Sequence, residues 1–148
     1  MPTGQGTNFL GNLGEAYTIL ELAKRGHFAM RVSRGCNFDL LCDNGARVEV
    51  KSARCSSGPR SYPQFRFMNI RTKYTYKGSS EKYHGWEIKK SACDFYVFVL
   101  FNDANEPILY LILPRSKFKT ACISANPKNL KRWAEFANRW DLLTGKIE

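Results

Sequence analysis

Hydrophobic positions recur at helical spacing from about Gly11 to Arg25, and Gly26 stands where a left-handed glycine would stop that helix. On a helical wheel Leu13, Ala16, Ile19, Leu20, Leu22 and Ala23 share one broad arc, with Thr18, Glu21, Lys24 and Arg25 on the other. The first arc is expected to face a core. Residues up to about Phe9 are Gly-rich, polar and without period, and read as a loosely held lead-in. Further on, "FYVFVLF" (Phe95 to Phe101), the turn-like "NDANEP" and "ILYLIL" predict a hairpin of nearly continuous apolar strands, covered on both faces. Asp94 reads as a cap where the first of these strands begins. Asn126 as cap and Pro127 as opener predict a helix over 126–140, with Leu130, Trp133, Ala137 and Trp140 on one side. The order of elements is helix, strands, a basic region, strands, helix.

The stretch "FDLLCDNGARVEVK", Phe38 to Lys51, alternates with period two around Asn44-Gly45, a turn signal. A two-residue turn would set Asp39 opposite Val50 and Leu40 opposite Glu49, mixing charge and hydrophobe on both faces. A three-residue loop of Asp43, Asn44 and left-handed Gly45 pairs Leu40 with Val48, Phe38 with Val50 and Asp39 with Glu49. The apolar residues then share one face, and Asp39, Glu49 and Lys51 collect on the other. Two carboxylates set opposite one another repel unless something positive lies between them. Glu15 is the second anomaly: it falls inside the apolar arc of the first helix, where a carboxylate needs a cation, donors or a metal to offset desolvation.

Lys51 supplies part of the missing charge, and a divalent metal would supply more. Mg²⁺ takes hard oxygen ligands, commonly one or two carboxylates with waters and substrate phosphate. Asp39 and Glu49 are the expected ligands, with Glu15 holding a second ion or its water shell. Lys51 is placed to orient an attacking water or to stabilise charge developing on phosphorus oxygens.

Net charge changes the picture next. The 148 residues carry a formal +10, which predicts attraction to a polyanion, nucleic acid ahead of an anionic membrane surface. Length and core content predict one domain. No apolar run is long enough for a signal peptide or a membrane span, so a cytoplasmic protein is expected. Five cysteines with no CxxC pair disfavour a disulfide framework or a cysteine zinc site.

The helix glutamate in "LGEAYTILELAKRGH", the aspartate in "NFDLL" and the string "VEVKSA" together resemble the PD-(D/E)XK nuclease superfamily. The resemblance continues through "QFRFMNIRT", "CDFYVFVLF" and "LYLILP", from about Gly11 to Pro114. It implies an α/β fold with a restriction-endonuclease-like core, a central mixed β-sheet flanked by helices. It implies as well that Glu15, Asp39, Glu49 and Lys51 are the catalytic set, working with Mg²⁺ or Mn²⁺. The layout is similar to small intron-encoded homing endonucleases, and less closely to archaeal-type Holliday-junction resolvases. Phe38 stands where the family name has proline, a change in backbone shape rather than in ligands.

Residues 52–86 are the expected DNA-contacting region. Arg54, Arg60, Arg66, Arg71, Lys73, Lys77 and Lys82 interleave there with aromatics, suited to neutralising phosphates and stacking on exposed bases. His84, Glu87 and Gln64 carry no assigned role. Cutting both strands of a duplex calls for at least two copies of one small site, so a homodimer or homotetramer on double-stranded or branched DNA is expected. A basic DNA-binding module, with Asp39, Glu49 and Lys51 as a salt-bridge cluster, is the rival from another class.

Overall fold

The computed structural model describes residues 5–33, 36–54, 65–67, 71–77, 82–88, 93–117 and 123–145. Helix α1 (Gln5–Lys24) is followed by strands β1 (Ala29–Arg31), β2 (Leu40–Cys42) and β3 (Arg47–Arg54). Next come β4 (Phe65–Phe67), β5 (Arg71–Lys77), β6 (Lys82–Ile88), β7 (Phe95–Phe101), β8 (Pro107–Pro114) and β9 (Ile123–Ala125). A 3₁₀ segment (Lys131–Phe136) and helix α2 (Trp140–Thr144) follow. Five strands form one mixed sheet in the order β1-β2-β3-β7-β8. Only β3 and β7 run parallel, from Val48 opposite Phe95 to Arg54 opposite Phe101; the other pairs in that sheet are antiparallel. The α/β class and the mixed sheet with flanking helices are as expected. Two further pairs, β4 with β9 and β5 with β6, are antiparallel.

Central strand β7 is buried from Tyr96 to Phe101, which its unbroken apolar run requires. Its alternate residues feed two cores. Val97, Val99 and Phe101 join Leu22 of α1, Leu40, Val48, Val50, Trp140 and Leu143. Tyr96, Phe98 and Leu100 join Ala53, Leu111, Leu113, Trp133 and Phe136. Each large side chain so buried is worth about 1.5–3 kcal/mol.

Three expectations are corrected. Helix α1 begins at Gln5 rather than after Phe9, because the weak formers Gly6, Thr7 and Asn8 are carried by a helix already anchored beyond them. Its sheet-facing seam is Gly14, Thr18 and Leu22, all buried, whereas Ala16, Leu20 and Ala23 are exposed. Thr18 bonds its hydroxyl to the Gly14 carbonyl at 2.8 Å and so enters the core without an unpaired donor. The wheel weighed bulk, while the seam is set by how closely the helix approaches β3.

The third correction concerns the helix expected over 126–140. Asn126 Oδ1 takes the Lys128 N–H at 3.0 Å in a local turn, a 3₁₀ segment follows, and α-helix resumes only at Trp140. Lys131 and Asn138 hold φ values of 50° and 53°, which interrupt the α-helical path. The chain bends there to cover the edge of β8: Ala137 bridges Leu111, the Asn138 N–H reaches the Tyr110 carbonyl at 2.7 Å, and Asn138 Oδ1 accepts the Tyr110 N–H at 3.3 Å. Trp133 and Trp140, expected on one side, therefore enter opposite cores.

Candidate active site

The β2–β3 hairpin has the three-residue loop that the alternation selects. Gly45 holds φ 85° and gives its N–H to the Cys42 carbonyl at 2.9 Å, while Leu40 faces Val48. The ladder stops at Leu40, one residue short of the expected pairing of Asp39 with Glu49. Asp39 donates its own N–H to the Val48 carbonyl at 2.9 Å, and its Oδ2 accepts the Val50 N–H at 2.8 Å. Its carboxylate thus lies against the β3 backbone beside Glu49. Phe38, expected to face Val50, packs instead into the opposite core, because the chain bends away from the ladder before Leu40.

Alternation along β3 sends Val48 and Val50 to the α1 side of the sheet and Ala53 to the other. Glu49 and Lys51 share the second face. Glu49 is 4% exposed, and Lys51 Nζ lies 2.7 Å from its Oε1. A buried carboxylate in contact with an amine is the arrangement that desolvation demands.

Glu15 comes in from α1, directly after Gly14 of the seam. Its side chain is 21% exposed and stands 3.4 Å from Arg31 Nε on β1. Burial raises its pKa above the ordinary 4.5, the charge of Asp39 raises it further, and Arg31 lowers it. Four sequence-selected residues therefore form two linked groups. Glu15 and Asp39 are electrostatically coupled, Glu49 and Lys51 are in contact, and Asp39 joins the groups through the Val50 N–H.

Ionised Glu15 destabilises the fold, and the sign fixes a pH window. The cost is absent below the ordinary carboxylate range, sets in as pH climbs, and is complete once pH has passed the raised value. Glu15→Gln is accordingly expected to raise the urea midpoint of the metal-free protein at pH 7 and to do so much less at pH 4.

Among the described residues no three His, Cys, Asp or Glu side chains form a ready-made metal cage. Mg²⁺ and Mn²⁺ do not need one. Asp39, just before β2, and Glu49, on β3, offer hard oxygen donors, a set that fits an ion keeping most of its waters.

The expected DNA-contacting cations are distributed as follows. Arg54, at the end of β3, donates through Nε to Asn105 Oδ1 at 3.0 Å and also through its terminal nitrogen, tying it to the β7–β8 turn. Arg66 lies on β4, Arg71, Lys73 and Lys77 on β5, and Lys82 on β6; Arg60 and Gln64 lie outside the described residues. In the β5–β6 register Arg71, Lys73 and Lys77 oppose Ile88, Trp86 and Lys82. His84 opposes Thr75, and Glu87 opposes Thr72.

Asp94 caps the start of β7 as expected, and its partner is Arg47: guanidinium and backbone N–H both reach its carboxylate, at 2.9–3.1 Å, and hold its pKa low. Cys36, Cys42 and Cys93 form no disulfide, and burial pushes the Cys42 thiol up to about 11. Cys55 and Cys122 lie outside the described residues. Arg31 went unnoticed in the sequence. Its stretch, Ala29 to Arg31, has no alternation and is too short to distinguish a strand from a loop.

A solved structure of a bacterial homing endonuclease, I-Ssp6803I, is similar to this chain over 95% of its length and 94% of the other's, with TM-score 0.66 and 17% sequence identity. The two chains share a fold. No protein-family model and no curated protein matches the sequence. Among the described residues no helix is long and apolar enough to cross a membrane.

Proposed function

We propose that the chain is a metal-dependent DNA endonuclease of the PD-(D/E)XK type, most akin to homing enzymes that cut at a specific site. The observation that carries this is the pairing of buried Glu49 with Lys51 on β3, beside Asp39, whose charge in turn acts on Glu15. The shared fold with a homing endonuclease supports it, and so does the +10 net charge. In this reading Asp39 and Glu49 hold Mg²⁺ or Mn²⁺, and Glu15 holds a second ion or its water shell. Bound there, such an ion would supply Lewis acidity toward the phosphate and toward a water. Lys51 gives up part of its contact with Glu49 to donate to the attacking water or to the developing oxyanion. Asp39 is oriented by the Val50 N–H, so its carboxylate is fixed before substrate arrives. The ribbon cations and Arg54 neutralise phosphates, and two or four copies act together on the two strands.

The 2.7 Å Glu49–Lys51 contact also favours a second reading, in which the pair is only a salt bridge in a basic DNA-binding module. Glu49→Gln separates them. Wild type is expected to cut a mixed-sequence plasmid or a synthetic four-way junction with Mg²⁺ and not with chelator, and the variant to cut neither. Preference for the junction would move the assignment from homing enzyme to resolvase. Metal binding unchanged by Glu49→Gln, with no cutting by wild type, would leave the binding module.

A further inference from the structure

The Glu15–Asp39 end of the site holds two carboxylates, and among the described residues the cation in contact with Glu15 is Arg31. Four contacts place it there. Arg31 faces Leu40 in the β1–β2 ladder, and the next residue, Val32, gives its N–H to the Asp39 carbonyl at 3.1 Å, so the backbone sets Arg31 beside Asp39. Its Nε stands 3.4 Å from Glu15 Oε2, and its terminal nitrogen donates to the Asn12 carbonyl at 3.1 Å. The guanidinium thus bridges α1 to the sheet edge while its side chain stays 48% exposed. Among the described residues nearby, Lys51 is engaged by Glu49 and the His27 ring by Asp43.

We propose that Arg31 is the resident counter-cation of the Glu15–Asp39 pair, held by Glu15 until a divalent ion takes over the negative charge and displaces it. The inference rests on the nuclease reading above and adds a positioning residue to it. Two carboxylates brought together against burial need a positive charge at all times. A guanidinium 3.4 Å from Glu15 supplies that charge in the absence of metal and yields to an ion that binds carboxylate oxygens more closely. The half-exposed side chain has room to swing clear. Metal binding and Arg31 are then competitors for one negative field, which a purely structural salt bridge would not be.

Calorimetric titration with Mn²⁺ tests this on the full chain in the absence of DNA. Arg31→Gln is expected to bind Mn²⁺ roughly three- to tenfold more tightly than wild type, because a competing charge is gone. Arg31→Lys, which keeps the charge, is expected to match wild type within about twofold. In chelator Arg31→Gln is expected to melt below wild type, and saturating Mn²⁺ to close that gap; a merely structural role predicts the same gap in both conditions. Equal or weaker Mn²⁺ binding by Arg31→Gln would overturn the proposal, as would Arg31→Lys binding as tightly as Arg31→Gln. Asp39→Asn is the control. Should wild-type Mn²⁺ binding survive it unchanged, the nuclease reading falls as well; should it be lost while Arg31→Gln leaves affinity untouched, this inference alone fails.

Discussion

Asp39→Asn is expected to leave the protein folded and to lower metal-dependent cleavage roughly a thousandfold or more. The two halves of that expectation come from different atoms of one side chain. Asp39 Oδ2 accepts the Val50 N–H at 2.8 Å, and the amide oxygen of asparagine can accept the same bond with the same reach. Stability should therefore stay within about 1 kcal/mol of wild type. Loss of the charge also relieves the repulsion that Asp39 exerts on Glu15, which acts in the same stabilising direction. What asparagine cannot do is offer an anionic oxygen to a divalent ion. Asp39→Ala, by contrast, leaves the Val50 N–H without its acceptor and should cost about 1–3 kcal/mol besides its effect on cleavage. Circular-dichroism melts and plasmid cleavage with Mg²⁺ on the two variants separate scaffold from chemistry. Near-wild-type cutting by Asp39→Asn would remove Asp39 from the metal site, leaving its carboxylate as a clamp on β3.

The hairpin that carries this residue was readable in the sequence because two constraints agree there. Period-two alternation allows few registers, and Asn44-Gly45 admits a loop that satisfies one of them, so Leu40 meets Val48 as the pattern demands. The β7–β8 hairpin was readable for a simpler reason, being apolar on both faces and broken by a polar turn. Features set by distant contacts were not. The segment after Asn126 has helical spacing, but Asn138 is held by both backbone groups of Tyr110, and those tertiary bonds outweigh the local preference. Asp39 departs from its expected pairing with Glu49 because its side chain competes for the β3 backbone. Glu15 stands out as a charge inside an apolar arc, and Asp39, Glu49 and Lys51 as the charges that the hairpin register gathers on one face; the fold links the four in two groups. Arg31 carries no such mark, since an arginine on a three-residue edge strand looks like any surface cation.

Gly14→Leu is expected to have the largest effect on folding. Gly14, Thr18 and Leu22 lie at successive fourth positions and form the buried seam of α1 against the sheet. A Cβ at position 14 would stand 1.9 Å from Ser52 Oγ, 3.3 Å from Ser52 Cβ and 3.4 Å from Val50 Cγ1. A mid-helix glycine costs about 1 kcal/mol relative to alanine, and here the cost is offset by an approach no other residue permits. Leucine cannot be housed without pushing α1 off β3, so the loss should exceed the 1–3 kcal/mol typical of overpacking, at about 3 kcal/mol or more. The same shift would carry Glu15, the next residue, away from Asp39, and cleavage should fall even under conditions where the variant stays folded. The nearest obstacle is a serine hydroxyl, which allows a sharper test. Ser52 Oγ is buried with no hydrogen-bond partner among the described residues, so Ser52→Ala alone should be neutral or mildly stabilising. Gly14→Ala alone should destabilise, and adding Ser52→Ala should recover much of the loss, because the closest remaining contact would be the 3.3 Å approach to the residue 52 Cβ, which is tight but relieved by a small movement of the helix. Urea unfolding of the four-member cycle measures that coupling. Additive effects, or a Gly14→Leu protein as stable as wild type, would mean that α1 does not meet β3 along this seam and that the placement of Glu15 must be sought elsewhere.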